Sequence, residues 1–249
     1  MTRPFIAIPI GDPAGIGPEI VAKAVADKDT CAAAKCVVIG DKKIMEGAIR
    51  ITKVPLSIRC IENPEDGDYR ENVLNLIDFD NIDMARFKIG KVDGMCGKAA
   101  YDYIEKSISL AMDHKVAAVA TTPINKEALK AGGVPFIGHT EIFGALTHTD
   151  DPLTMFEVRG LRVFFLTRHV SLIEACKMVK KERIIDYVKR CLDALKKLGV
   201  TEGTMAVAGL NPHSGEHGLF GTEEVTDVTP AVEALQKEGY PVAGPVGAD

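Results

Sequence analysis

Short runs of apolar residues recur along the chain, separated by longer stretches in which apolar side chains return every three or four positions. The runs suit strands buried on both faces of a parallel sheet, and the periodic stretches suit amphipathic helices laid against it. Their alternation predicts an α/β fold with a largely parallel sheet. Strands are expected over residues 5–10, 36–39, 116–121, 153–158, 162–167 and 205–210. Helices are expected over 18–26, 97–113, 125–131, 171–180, 182–198 and 222–237. Asn125 stands where an N-cap belongs, and Ser171 followed by Glu174 has the form of a capping box. From 41 to 95 the pattern weakens to polar turns at 63–68 and faint strand signals at 56–61 and 86–89, from which no topology follows. If the chain forms two lobes, the segment 132–138 is the natural crossing, which places 1–135 in the first lobe and 136–249 in the second.

With 249 residues, 46% of them hydrophobic, the chain can bury a substantial core. The net charge is −5 and the 30 Lys and Arg are scattered, so there is no electrostatic footprint for nucleic acid, and an anionic substrate needs a local cationic site. Cys31, Cys36, Cys60, Cys96, Cys176 and Cys191 form no CxxC pair and mostly have apolar neighbours, which suits reduced thiols in a cytoplasm. The apolar run at the start is broken early by Pro and Gly, unlike a signal peptide, and no stretch approaches the ~20 apolar residues of a membrane span.

Ligands of open parallel sheets gather beyond the carboxyl ends of the strands, so the polar residues that follow each predicted strand are the candidates. GDPAGIGPE, residues 11–19, reads either as a phosphate or cofactor loop or as a structural strand-to-helix turn, since it matches neither the GxGxxG fingerprint nor a P-loop. TTPINKEAL, residues 121–129, offers Lys126 either to an anion or to solvent. In GHTE, residues 138–141, Thr140 is placed to cap a short helix with His139 just outside it, where free N–H groups and the positive end of the helix dipole favour an anion. His169, after RVFFLT, and His213, in NPHSGE after MAVAGL, occupy corresponding places beyond two strands and can share a divalent ion, although no tight ligand spacing such as HExxH requires it. Glu216 and His217 read as solvent-side loop residues, and His114 and His148 merely follow helices.

Together IGDPAGIGPEI, ATTPINKEAL, FIGHTEIF, LTRHVSL and AGLNPHSGEHGLFGTEE resemble, in order and separation, the 4-hydroxythreonine-4-phosphate dehydrogenase (PdxA) family, including its branch acting on D-threonate or D-erythronate 4-phosphate. The resemblance implies a two-lobed α/β/α fold similar to isocitrate and isopropylmalate dehydrogenases, assembled as a homodimer. It implies that His169 and His213 bind a divalent metal (zinc, magnesium or manganese), that His139 and Thr140 contact a small phosphorylated hydroxy acid, and that Asp249, in a GPxxAD-like segment, borders that substrate. The implied reaction is NAD-dependent oxidation followed by decarboxylation. The family continues past this segment through a YHDQ motif, which supplies a third metal-binding histidine from the partner subunit, and through much of the nicotinamide site. Residues 1–249 are therefore expected to carry only part of the site and to leave a strand edge open. A metal-dependent hydrolase and a non-catalytic ligand-binding domain are the competing classes, separated from a dehydrogenase by whether added NAD is reduced.

Overall fold

The structure is a computed structural model, and it describes residues 3–247. The chain divides into two compact units, one up to Pro152 and one from Leu153. The first contains β1 (Phe5–Pro9), α1 (Gly17–Ala26), α2 (Lys28–Ala33), β2 (Lys35–Gly40), α3 (Lys42–Thr52), β3 (Ser57–Cys60), β4 (Val73–Asp78), α4 (Gly94–Met112), β5 (Ala118–Val119), α5 (Lys126–Ala131) and α6 (His139–Leu146). Its five strands form one parallel sheet in the order β3-β4-β2-β1-β5. Ile8 lies opposite Val38, which lies opposite Leu76, so the three central strands bring their apolar runs into one buried layer. Val21 and Ala22 of α1, Met45 of α3 and Tyr103 of α4 join the same core.

The units part between Pro152 and Leu153, later than the 135/136 division expected from the glycine-rich segment. Packing on α4 explains the difference. Gly97 on α4 meets Ala128 on α5 backbone to backbone, and a Cβ at Gly97 would stand 1.9 Å from the Ala128 carbonyl oxygen. Ile142 of α6 is buried against Ile104 and Ile108 of α4. Both helices after β5 therefore pack on α4 and belong to the first unit, and a loop composition gave no sign of that.

The stretch without a readable pattern contains α3, β3 and β4. The strand signal at 56–61 becomes β3, whereas that at 86–89 is a turn, in which the Asp83 carbonyl accepts the N–H groups of Arg86 and Phe87. β4 escapes a hydrophobicity reading because Asn75 interrupts it. That side chain is buried, accepting from the Asp68 N–H and donating to the Asp68 carbonyl, both at 2.8 Å, so a polar residue is satisfied within an apolar strand. Asp41 shows the same economy at the carboxyl end of β2. Its fully buried carboxylate caps α3 through the N–H groups of Lys43 and Ile44 and accepts from the Ile82 N–H at 3.0 Å. Asp41→Ala strands these donors, and the expected loss of about 2 kcal/mol is to be read from urea unfolding.

The second unit contains β6 (Met155–Val158), β7 (Leu161–Phe164), α7 (Leu172–Lys177), α8 (Lys181–Lys197), β8 (Met205–Ala208), α9 (Thr229–Lys237) and β9 (Val242–Val246). β6 and β7 do not enter a parallel sheet; they pair antiparallel as a hairpin in which Val158 lies opposite Leu161. Arg159 and Gly160 turn it with φ of 50° and 86°, the left-handed pair that a two-residue turn of this twist requires. β8 and β9 pair in parallel under α8 and α9, with Ile184, Val188, Ala231, Val232, Leu235 and Val242 forming the core. β9 was not expected, since its glycine and proline interrupt a short apolar run. The helix expected from 222 begins as a π-turn, Glu224–Val228, before α9. Asn125 caps α5 through the Ala128 N–H and Ser171 caps α7 through the Glu174 N–H, as expected, although the Glu174 carboxylate turns outward to Lys177. Among the described residues no helix is long and apolar enough to cross a membrane.

Candidate functional site

The first two loops of interest lie beside each other, because β1 and β5 are neighbours in the sheet. They interlock: the Asp12 N–H donates to the Pro123 carbonyl at 3.1 Å and the buried Thr122 hydroxyl donates to the Pro9 carbonyl at 2.9 Å. Gly11, at φ +70°, and Gly17 are needed there, since side chains would stand 2.3 Å from the Pro123 oxygen and 2.1 Å from the Ile10 oxygen. This backbone packing accounts for two of the glycines without a phosphate. Asp12 is buried, with one oxygen accepting from the Ala14 N–H. Burial, helped by nearby Asp93 and opposed by that hydrogen bond, holds its carboxyl above the ordinary carboxylate range. Lys126 is exposed in the first turn of α5, and the structure shows no ion pair for it among the described residues.

His139 and Thr140 are the first two residues of α6, and the N-cap is Gly138, so Thr140 does not cap the helix and His139 is not outside it. A glycine supplies no capping side chain, which leaves the first-turn N–H groups without one. Ile142 seats the helix on α4, three residues after His139. The His139 Nε2 is buried without a hydrogen-bond partner, and desolvation lowers its pKa below the ordinary histidine value, so the neutral imidazole is favoured. An orphaned buried ring nitrogen is a group that a ligand could satisfy.

His169 and His213 both belong to the second unit, and both are exposed. Each sits on left-handed backbone, at φ of 51° and 52°. His169 lies between β7 and α7, next to Arg168, whose guanidinium donates to the Thr154 hydroxyl at 2.7 Å. His213 opens a turn in which five successive residues, His213, Ser214, Gly215, Glu216 and His217, are left-handed. Each non-glycine residue in that region costs about 1–2 kcal/mol, so the neighbours must hold the turn. The holder was not foreseen from the sequence. Glu224, only 2% exposed, accepts from the N–H groups of Leu210 and Asn211, each at 2.7 Å, and from the Asn211 amide at 2.8 Å. Burial pushes its carboxyl upward, but these hydrogen bonds outweigh it and keep the pKa below the ordinary glutamate value. The pair of acids just after the loop, in GTEE, was the available signal.

Among the described residues no group of three or more His, Cys, Asp or Glu is placed to hold a metal ion. Two exposed imidazoles are, by their chemistry, suited to a divalent cation. Asp249 lies outside the described residues. Glu216 and His217 are exposed, as expected of loop residues.

The family model described as Pyridoxal phosphate biosynthetic protein PdxA matches residues 32–249. A relative from Fusobacterium nucleatum subsp. nucleatum, named "Putative D-threonate 4-phosphate dehydrogenase", is 60% identical over 247 residues, which are 99% of this chain and 74% of the relative. The crystal structure of a 4-hydroxythreonine-4-phosphate dehydrogenase from Klebsiella pneumoniae matches with a TM-score of 0.90 at 35% identity, covering 98% of this chain and 74% of that one. One from Burkholderia phymatum matches with a TM-score of 0.88 at 37% identity, covering 99% of this chain and 74% of that one.

Proposed function

From the premise that the chain belongs to the PdxA family, we propose that it is an NAD-dependent, divalent-metal-dependent dehydrogenase that oxidises and decarboxylates D-threonate 4-phosphate. That it is an oxidoreductase follows from relatives and structural neighbours named as dehydrogenases, which removes the hydrolase and the non-catalytic domain as readings. Its α/β fold with a mostly parallel central sheet is that of those neighbours, an isocitrate dehydrogenase-like fold. One observation carries the substrate. The relative named for D-threonate 4-phosphate is 60% identical to this chain over the 247 aligned residues, against 35% and 37% for the structures named for 4-hydroxythreonine 4-phosphate.

In the proposed reaction the hydride on the carbon bearing the 3-hydroxyl passes to the nicotinamide and the hydroxyl proton leaves to solvent, giving a β-keto acid. Its carboxylate then departs as carbon dioxide, and the carbon left behind takes up a proton, giving a three-carbon hydroxyketone phosphate. A divalent ion, when bound, supplies Lewis acidity that eases removal of the hydroxyl proton. His169 and His213 are the residues that would hold it. Neutral His139, with its Nε2 lacking a partner, and Thr140, in the first turn of α6, would bind and orient the substrate. Glu141 in the same turn opposes an anion there, so positive charge from elsewhere would have to complete the substrate site. A homodimer is part of the same reading, supported by the exposed apolar side chains of Phe156, Val158 and Leu161 on the β6–β7 hairpin. The free cysteines suit a reducing cytoplasm.

The test is the full-length protein with NAD and a divalent metal, offered D-threonate 4-phosphate, D-erythronate 4-phosphate or 4-phosphohydroxy-L-threonine, with reduced nicotinamide followed by absorbance. D-threonate 4-phosphate is expected to give the highest kcat/KM, by at least about tenfold. Preference for the amino acid substrate would overturn the substrate assignment, and no reduction with any of the three would overturn the activity.

A further inference from the structure

We propose that Glu224 is the positioning residue for the His213 ligand, fixing by hydrogen bonds the strained turn that presents the imidazole. The proposal rests on the reading of His213 as a metal ligand. Its own evidence is the carboxylate's geometry. Oε1 gathers the backbone N–H groups of Leu210 and Asn211, immediately before the turn. Oε2 takes the Asn211 amide and lies so close to Gly215 that a Cβ there would stand 2.7 Å from it. One buried carboxylate thus hydrogen-bonds the chain just before His213 and packs against it just after, at Gly215. The other hydrogen of the Asn211 amide is held by Glu223 at 2.8 Å, which fixes the orientation of the amide. Glu224 in turn opens the π-turn before α9, and the helix behind it is anchored in the core through Val228, Ala231 and Val232. The left-handed run 213–217 has a carboxylate-and-amide clamp and a rigid helix behind it, an arrangement that sets a ligand's place without touching the metal.

The experiment uses the full-length protein and Mn²⁺, with binding measured by the electron paramagnetic resonance of free Mn²⁺ and folding by near-ultraviolet circular dichroism. His213→Ala should lose Mn²⁺ binding. Glu224→Gln keeps an acceptor for the two backbone N–H groups but sets an amide nitrogen against the Asn211 amide. It should stay folded, bind Mn²⁺ about 10–100-fold more weakly, and recover most of its kcat at saturating Mn²⁺. Glu224→Ala should be weaker still; if it does not fold, Glu224→Gln decides. Wild-type Mn²⁺ affinity in Glu224→Gln while His213→Ala loses the ion overturns the positioning role alone. Wild-type affinity in His213→Ala overturns the ligand reading, and the positioning role with it. Loss of Mn²⁺ by Glu224→Gln that merely tracks unfolding also overturns the proposal, because it would make the clamp a stabilising contact only.

Discussion

Replacing His213 or His169 by alanine is expected to lower kcat/KM by more than about 10³-fold, with the bound metal lost in parallel. A divalent ion held by these residues would supply Lewis acidity at the reacting hydroxyl worth several kcal/mol, and each 1.4 kcal/mol is worth about tenfold in rate. Both rings are exposed and stand on left-handed backbone. Alanine keeps the Cβ and with it the backbone strain, and because both rings are exposed their removal should change stability by no more than about 0.5 kcal/mol. That combination, a large loss of activity without a loss of stability, separates a ligand from a structural histidine. Metal content by elemental analysis and turnover of the full-length protein check it; wild-type rate and metal dependence in either variant would remove that histidine from the site.

Gly97→Val is expected to cost about 3 kcal/mol, read as a fall in the urea midpoint with the slope unchanged. A Cβ at Gly97 would stand 1.9 Å from the Ala128 oxygen and 2.1 Å from the Ala128 carbonyl carbon, and neither backbone atom can rotate away as a side chain could. α4 and α5 would have to separate, opening the contact by which α5 packs on α4. A variant with wild-type stability would mean that the two helices can part freely, contrary to their backbone contact.

Only some of the fold could be read in advance. The β1 and β2 runs were visible because both faces of a central parallel strand are buried, so FIAIP and CVVI are apolar without alternation. β4 was not, because Asn75 is satisfied by Asp68, a loop residue whose nearness to the strand no periodicity records. β6 and β7 were seen as strands, but an apolar run does not say which strand it will pair with, and a left-handed Arg159-Gly160 turn made them a hairpin. The candidate site divides in the same way. The histidines at 139, 169 and 213 were picked out by their places after predicted strands or at a helix start. The left-handed backbone beneath two of them, the orphaned Nε2 of the third and the clamp at Glu224 were not.

The alternation of strand and helix, the caps at Asn125 and Ser171, and the side chains from which a site could be built were legible in the residues alone, since each depends on positions close together in the chain. Tertiary structure decided where the two units part, which strands pair, and which carboxylate holds the His213 turn. Glu224 reaches Leu210 and Asn211 across 14 and 13 residues. A buried acceptor and the backbone donors it satisfies become partners only when folding excludes water from both, and no local pattern encodes that.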